Sequence, residues 1–281
     1  MAIHIGCGSW ADASYVGVLY PKKSPAKERL RLYTRWFDRL EFNASHHRTP
    51  SAKQMADWAA QTPSGFIFDF KLHRSFSQHP ARAAASDELQ RMAAAVEPLI
   101  ATGKLGAFLL TLPPSFEPSG HSLHELDDLI AKLPRYPLAV ELRHRGWVDA
   151  VDRTATLEYF RRNKLAWVAV DVPQLDSPSL LPPIDEVTND QLAYLRLHGR
   201  NPNYLKGKTA AEKHHYEYSA SDLEEIVGRI NKLATKAAHV HVSLNNHAKD
   251  FAPRAALALR HLLGQPVKGV NLGSQDTLVD E

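Results

Sequence analysis

Eight short runs rich in β-branched and aromatic residues recur along the chain, at residues 3–7, 40–43, 66–71, 106–111, 138–142, 166–171, 194–198 and 240–244. Each is followed by a stretch with apolar spacing near 3.6 residues, or by a remnant of one. Leu89, Met92, Ala93, Val96, Leu99 and Ile100 form one such stripe; Leu223, Ile226, Val227, Ile230 and Leu233 form another. Start signals accompany them. Ser51 with Gln54, Ser122 with Glu125 and Ser221 with Glu224 each set a capping hydroxyl three residues before a side chain that can answer it. Ser24-Pro25 predicts the start of the first helix. The sixth interval is irregular, because residues 173–183 are too proline-rich for a full helix. This alternation predicts an α/β fold: a single (β/α)8 TIM barrel over residues 1–281, with the helix after strand 6 reduced or irregular. An open doubly wound sheet is the alternative.

Composition narrows the class. Hydrophobic residues make up 44% and charged residues 23%, which suits a globular chain and not a disordered one. No apolar run approaches the roughly 18 residues of a membrane helix, and no secretory signal precedes the first strand. The expectation is a cytoplasmic protein with no membrane partner. One cysteine excludes a disulfide framework and any Cys-rich metal site. A net charge of +3 does not decide for or against nucleic acid, so placement must.

The connections are unequal. Helix-to-strand links are terse (38–39, 62–65, 102–104, 162–164), whereas strand-to-helix links are long (8–23, 72–85, 112–121, 199–219). Ten of the 15 histidines lie at strand ends or in the long links: His46, His47, His73, His79, His121, His144, His198, His214, His215 and His247. Barrel enzymes carry their chemistry on that face. Period-2 parity then places Glu41, Asn43, Asp69, Lys71, Glu141, Arg143, Asp171, Arg196, His198, His241, Ser243 and Asn245 toward the lumen. Asp69 is expected beside Lys71. Enclosed charges must be paired or neutralised, and such groups gather at functional sites.

These residues carry a resemblance. Ile5-Gly6 with Trp10, Leu40-Glu41-Phe42-Asn43 with Arg48, Trp58 with Thr62-Pro63, and Lys71 form the first half of an ordered motif series. Leu112-Pro113-Pro114-Ser115-Phe116, Val140-Glu141-Leu142-Arg143-His144 with Trp147, Asp171, Arg196-Leu197-His198-Gly199-Arg200 and Asn245-Asn246 complete it. In this series the chain resembles the YecE-like family, domain of unknown function 72, over nearly its whole length. The resemblance implies a TIM barrel and no assigned activity. His46-His47 stands where that family carries an aromatic-Tyr pair, and Asp69 where it carries a small residue.

Gly6-Cys7-Gly8-Ser9-Trp10-Ala11 matches a dinucleotide fingerprint literally, but the next helix signal waits until Ser24, so the required helix N-terminus is missing. Cys7 reads as a small buried residue. The functional reading is an enzyme using carboxylate acid/base chemistry on a small anionic, polyhydroxylated ligand, a sugar phosphate or sugar acid. Glu41 and Glu141 are the acid/base candidates, with Lys71 tuning them and His198 as a second proton-transfer group near neutral pH. A Schiff-base role for Lys71 is disfavoured by the expected neighbour Asp69. Trp10 and Trp147 would supply stacking surface; Asn43, Arg143, Asp171, Arg196, Arg200, Asn245 and Asn246 would bind the ligand, with the anion after strands 7 and 8. The residues assign no cofactor. A divalent metal on Glu41, Glu141, Asp171 and His198 is possible but opposed by the neighbouring cations. The alternatives are a metal-assisted phosphodiester hydrolase or nucleic-acid-binding barrel using the basic rim, and a non-catalytic sensor or partner-binding barrel.

Overall fold

The computed structural model describes residues 1–133, 136–246 and 248–266; His247 lies outside the described residues. The eight expected strands are β1 Ala2–Cys7, β2 Arg39–Phe42, β3 Ile67–Lys71, β4 Leu105–Thr111, β5 Leu138–Glu141, β6 Ala166–Asp171, β7 Leu192–Leu197 and β8 His239–Leu244. All ladders are parallel, in the order β1-β8-β7-β6-β5-β4-β3-β2. The sheet therefore curls until β1 and β2 face each other. No ladder forms between them, and Tyr33 closes the gap. Its hydroxyl accepts from Cys7 N at 2.8 Å and donates to Arg39 O at 3.0 Å. Gly6 permits that approach, since a Cβ there would lie 2.1 Å from Arg39 O.

The helices are α1 Arg29–Tyr33, α2 Ala52–Gln61, α3 Arg74–Gln78, α4 Pro80–Ala84 and α5 Asp87–Ala101 in the first half. The second half adds α6 Asp127–Lys132, α7 Arg153–Arg162, α8 Ala210–Lys213, α9 Ala220–Ala234 and α10 Phe251–Leu262. None is long and apolar enough to cross a membrane. Capping boxes form at Ser51 with Gln54 and at Ser122 with Glu125. In α9 the cap is Ser219 with Asp222, two residues before the expected Ser221. Ser24 caps nothing: the 3-10 turn Ala26–Glu28 that leads into α1 follows Pro25 without a side-chain cap, and the Ser24 hydroxyl is buried without a hydrogen-bond partner.

Phe66, Phe68 and Phe70 are fully buried toward the helices, as are Val140, Leu195, Leu197, Val240 and Val242. Burying each such side chain contributes about 2 kcal/mol. Residues 172–191, between β6 and β7, form no helix. Arg145 supports that segment instead, donating from its backbone to Pro178 O at 2.6 Å and from its guanidinium to Leu180 O and Leu175 O at 3.3 Å. Beneath it β5 and β6 part early, pairing only at Ala139–Ala166 and Val140–Trp167.

Candidate active site in the barrel mouth

The inward-facing side chains form two layers. The floor centres on Arg39, which has no exposed surface. Its Nε donates to Asp69 at 2.7 Å, one terminal nitrogen to Val242 O at 2.8 Å, and the other to the Tyr194 hydroxyl. His241 Nδ1 completes the Asp69 partnership at 3.0 Å. A β-bulge makes the room. Phe68 pairs with Leu105 but Asp69 with Ala107, so Gly106 is the extra residue of β4. A Cβ on Gly106 would lie 2.6 Å from the Asp69 carboxylate and 3.0 Å from the His241 ring. Burial would raise the Asp69 carboxyl, but Arg39 and His241 hold it below its ordinary value.

The upper layer opens to the mouth. Arg196 grips Glu41 with two nitrogens, at 2.7 and 3.1 Å, and turns its third to Glu141. Asn43 at 2.9 Å and Tyr194 at 2.8 Å also donate to Glu41, and Arg143 Nε donates to Glu141 at 2.6 Å. Burial pushes both carboxyls up, yet the guanidiniums win. Glu41 is held down chiefly by Arg196, and Glu141 by Arg143 and Arg196. Both stay ionised at neutral pH, which suits fixed acceptors and not proton donors.

Two groups in this layer make no hydrogen bond among the described residues. Burial pulls the His198 imidazole down to about 4, with Glu141 opposing. Its Nε2 lies 3.5 Å from Glu141, an ion-pair distance only if the ring is protonated, and neither ring nitrogen makes a hydrogen bond. His198 is thus neutral at pH 7, contrary to the near-neutral titration expected of it. Beside it is a cavity of about 30 Å³ lined by Glu141, Arg143, Val170, Leu180, His198 and Tyr204 among others. That is room for about one water. The Lys71 amine makes no hydrogen bond or ion pair among the described residues. Burial, reinforced by Arg196 and Arg143, lowers it to about 7.

Several expected positions are corrected. Asp69 does not accompany Lys71, because Arg39 and His241 claim it. Asp171 points away from the lumen, to Arg229 of α9 at 3.1 Å, Tyr218 at 2.8 Å and Arg200 at 2.8 Å. Its β6 neighbour Trp167 shares that outward parity and packs on Phe160 of α7. Arg200 is committed to Asp171, Asp222 and Glu225, so it does not stand on the rim as a free cation. Trp147 is buried, stacked on Phe116, with its indole N–H on Phe116 O. Trp10 is half-buried against Phe42 and Trp58. Asn245 accepts from Asn43 at 3.2 Å, and Asn246 donates to Tyr216 O at 2.9 Å. With Asp171 turned outward, the four suggested metal ligands do not converge, and no group of three such side chains does so among the described residues. Burial raises the Cys7 thiol to about 12, fitting a packing residue.

Arg39 and Tyr194 are the residues that sequence reasoning missed. Their signal was parity: Arg39 shares a face with Glu41, and Tyr194 with Arg196.

The architecture defines a parallel barrel with an enclosed cluster of ionisable side chains at the C-terminal ends of its strands. The chain belongs to the protein family of unknown function DUF72, whose model matches residues 4–278. It is 26% identical over 277 residues to the UPF0759 protein YunF of Bacillus subtilis (strain 168), covering 95% of this chain and 97% of that one. A 27% match over 156 residues to the UPF0759 protein YecE of Escherichia coli (strain K12) covers 55% of this chain and 53% of YecE. A DUF72 family crystal structure from Thermotoga maritima superposes with a TM-score of 0.83 at 28% identity, covering 94% of this chain and all of that one. One from Enterococcus faecalis gives 0.80 at 24%, covering 94% and 98%, and supports the fold alone.

Proposed function

We propose that this chain is an enzyme acting in the barrel mouth on a small anionic, polyhydroxylated ligand that carries a carbonyl group, a sugar phosphate or sugar acid. Lys71 is the group that exchanges protons. One observation carries this reading: the charge balance of the upper layer. Glu41 and Glu141 contribute two negative charges, and Arg143 and Arg196 two positive ones, each engaged with another. Lys71 is left over without a partner. Its neutral amine leaves the layer uncharged, and an arriving anion would restore the reason to hold a proton. A base poised near the working pH is what proton abstraction beside a carbonyl needs. The carboxylates, locked as acceptors, would orient ligand hydroxyls; this departs from the acid/base roles expected of them.

A thermal-shift panel of sugar phosphates and sugar acids tests the reading. Ligands that stabilise the wild type should fail with Lys71→Met and weaken with Glu141→Gln, and their affinity should rise as pH falls from 8 to 6. Equal shifts in wild type and Lys71→Met would remove Lys71 from the site. With a carbonyl ligand the amine can also condense to an imine, losing water. Borohydride would trap that species as a secondary amine on Lys71, and turnover without an adduct assigns Lys71 to proton transfer.

A further inference from the structure

We propose that the hollow between the loops following β3 and β4 is an oxyanion subsite, holding the phosphate or carboxylate of the ligand while its carbonyl end reaches Lys71. The second half of that statement rests on the proposed function; the anion site itself does not. The hollow measures about 220 Å³, well above the roughly 10–15 Å³ that one water needs, and His46, Arg74, Ser77, Gln78 and Arg143 line it.

Three features point to an anion. First, no carboxylate lines this hollow. The larger one beside β7 and β8 includes Glu212 next to Lys206 and Lys249, and the one beside β6 includes Asp171 and Glu225 next to Arg200. Of these three, only the hollow beside β3 and β4 is lined by cationic side chains with no carboxylate among them. Second, the cations have capacity. Arg143 spends its Nε on Glu141, and its two terminal nitrogens have no partner among the described residues. The Arg74 side chain has none either. A guanidinium with two unused nitrogens suits the paired oxygens of phosphate or carboxylate. Third, Ser77 is 6% exposed, yet its hydroxyl makes no hydrogen bond. Buried hydroxyls are rarely left so. Arg143 also lines the small cavity beside His198 and bonds Glu141, so it joins this hollow to the Lys71 layer. The anion thus lies on the opposite side of the mouth from strands 7 and 8, where the sequence had suggested it.

The test titrates inorganic phosphate, and acetate in a parallel arm, at constant ionic strength, read by thermal shift and by calorimetry. Phosphate should bind the wild type, bind Arg74→Gln at least 10-fold more weakly, and bind Ser77→Ala a few-fold more weakly. Lys206→Gln with Lys249→Gln should leave it unchanged. Arg74 is exposed, so its variant folds. Acetate binding with the same variant pattern in place of phosphate would assign the ligand a carboxylate. The proposal is overturned if neither anion binds, if Arg74→Gln binds as wild type, or if the Lys206 and Lys249 variant loses binding. Phosphate lost with Arg74→Gln, but sugar phosphates unaffected by Lys71→Met, would keep the subsite and sink the Lys71 chemistry.

Discussion

The floor and the mouth of the barrel use nearly the same side chains to opposite ends. On the floor one arginine, one aspartate, one histidine and one tyrosine satisfy each other, the guanidinium donating to carboxylate, backbone carbonyl and hydroxyl. In the mouth two carboxylates and two guanidiniums interlock, but an amine and an imidazole are left over. The difference is completeness. A closed network of buried charge fixes structure, and one with surplus titratable members can answer a ligand. The layers are joined, since Tyr194 receives from Arg39 and donates to Glu41.

The comparison breaks most visibly at Arg39. Arg39→Met leaves the fully buried Asp69 carboxylate with His241 but without its guanidinium and should cost about 3–5 kcal/mol, because removing one partner of a buried ion pair leaves the other charge poorly compensated. Urea unfolding measures it. A loss below about 1 kcal/mol would mean that the floor is wet or loosely held, and the contrast with the mouth would disappear.

What the sequence made legible follows the same division. All eight strands could be placed to within two residues, because each is a short run rich in β-branched and aromatic residues bounded by turn or helix signals. The mouth residues Glu41, Lys71, Glu141, Arg143, Arg196 and His198 emerged from parity alone. Arg39 did not, because its strand was started at Leu40 and so one residue short. Asp171 was misplaced because β6 is buried on both faces, so its run from Ala166 to Val170 carries no alternation to fix the inward side. Two of the partners of Arg200, Asp222 and Glu225, lie on α9 more than twenty residues away, beyond any local pattern.

His198 sharpens the comparison through pH. It is a base whose folded value, about 4, lies below the 6.5 of the free side chain. Its contribution is intact above about pH 6.5 and is lost as pH falls toward 4, since only the unfolded chain binds the proton. That loss should approach about 3 kcal/mol. Denaturation across that range should show it in the wild type and a flatter profile in His198→Gln. An identical slope in both would mean that the imidazole is solvated or paired.

Lys71 obeys the same sign at higher pH. Its amine falls from the ordinary 10.5 to about 7 in the folded chain, so stability is full above pH 10.5 and declines until pH 7. Lys71→Met should therefore be more stable than the wild type at pH 7, by about 2 kcal/mol, as replacement of buried ions by apolar groups often is. The advantage should shrink at pH 10. A destabilised variant at pH 7 would show Lys71 to be a paired ammonium, closing the mouth network as fully as the floor.

The smallest expected effect tests where the mouth ends. Arg200 sits next to His198 and Gly199 in sequence and looks like part of the same anion-binding rim, but its guanidinium serves Asp171, Asp222 and Glu225 on the outer side of the barrel wall. Arg200→Gln leaves Asp171 with Arg229 and Tyr218. The stability cost should be about 1 kcal/mol or less, as for other partly exposed ion pairs, and ligand-induced thermal shifts should match the wild type. If those shifts vanish while stability holds, Arg200 reaches the ligand after all. The working surface would then extend across β6 and β7, and the arginines beside β3 and β4 would be only one part of it.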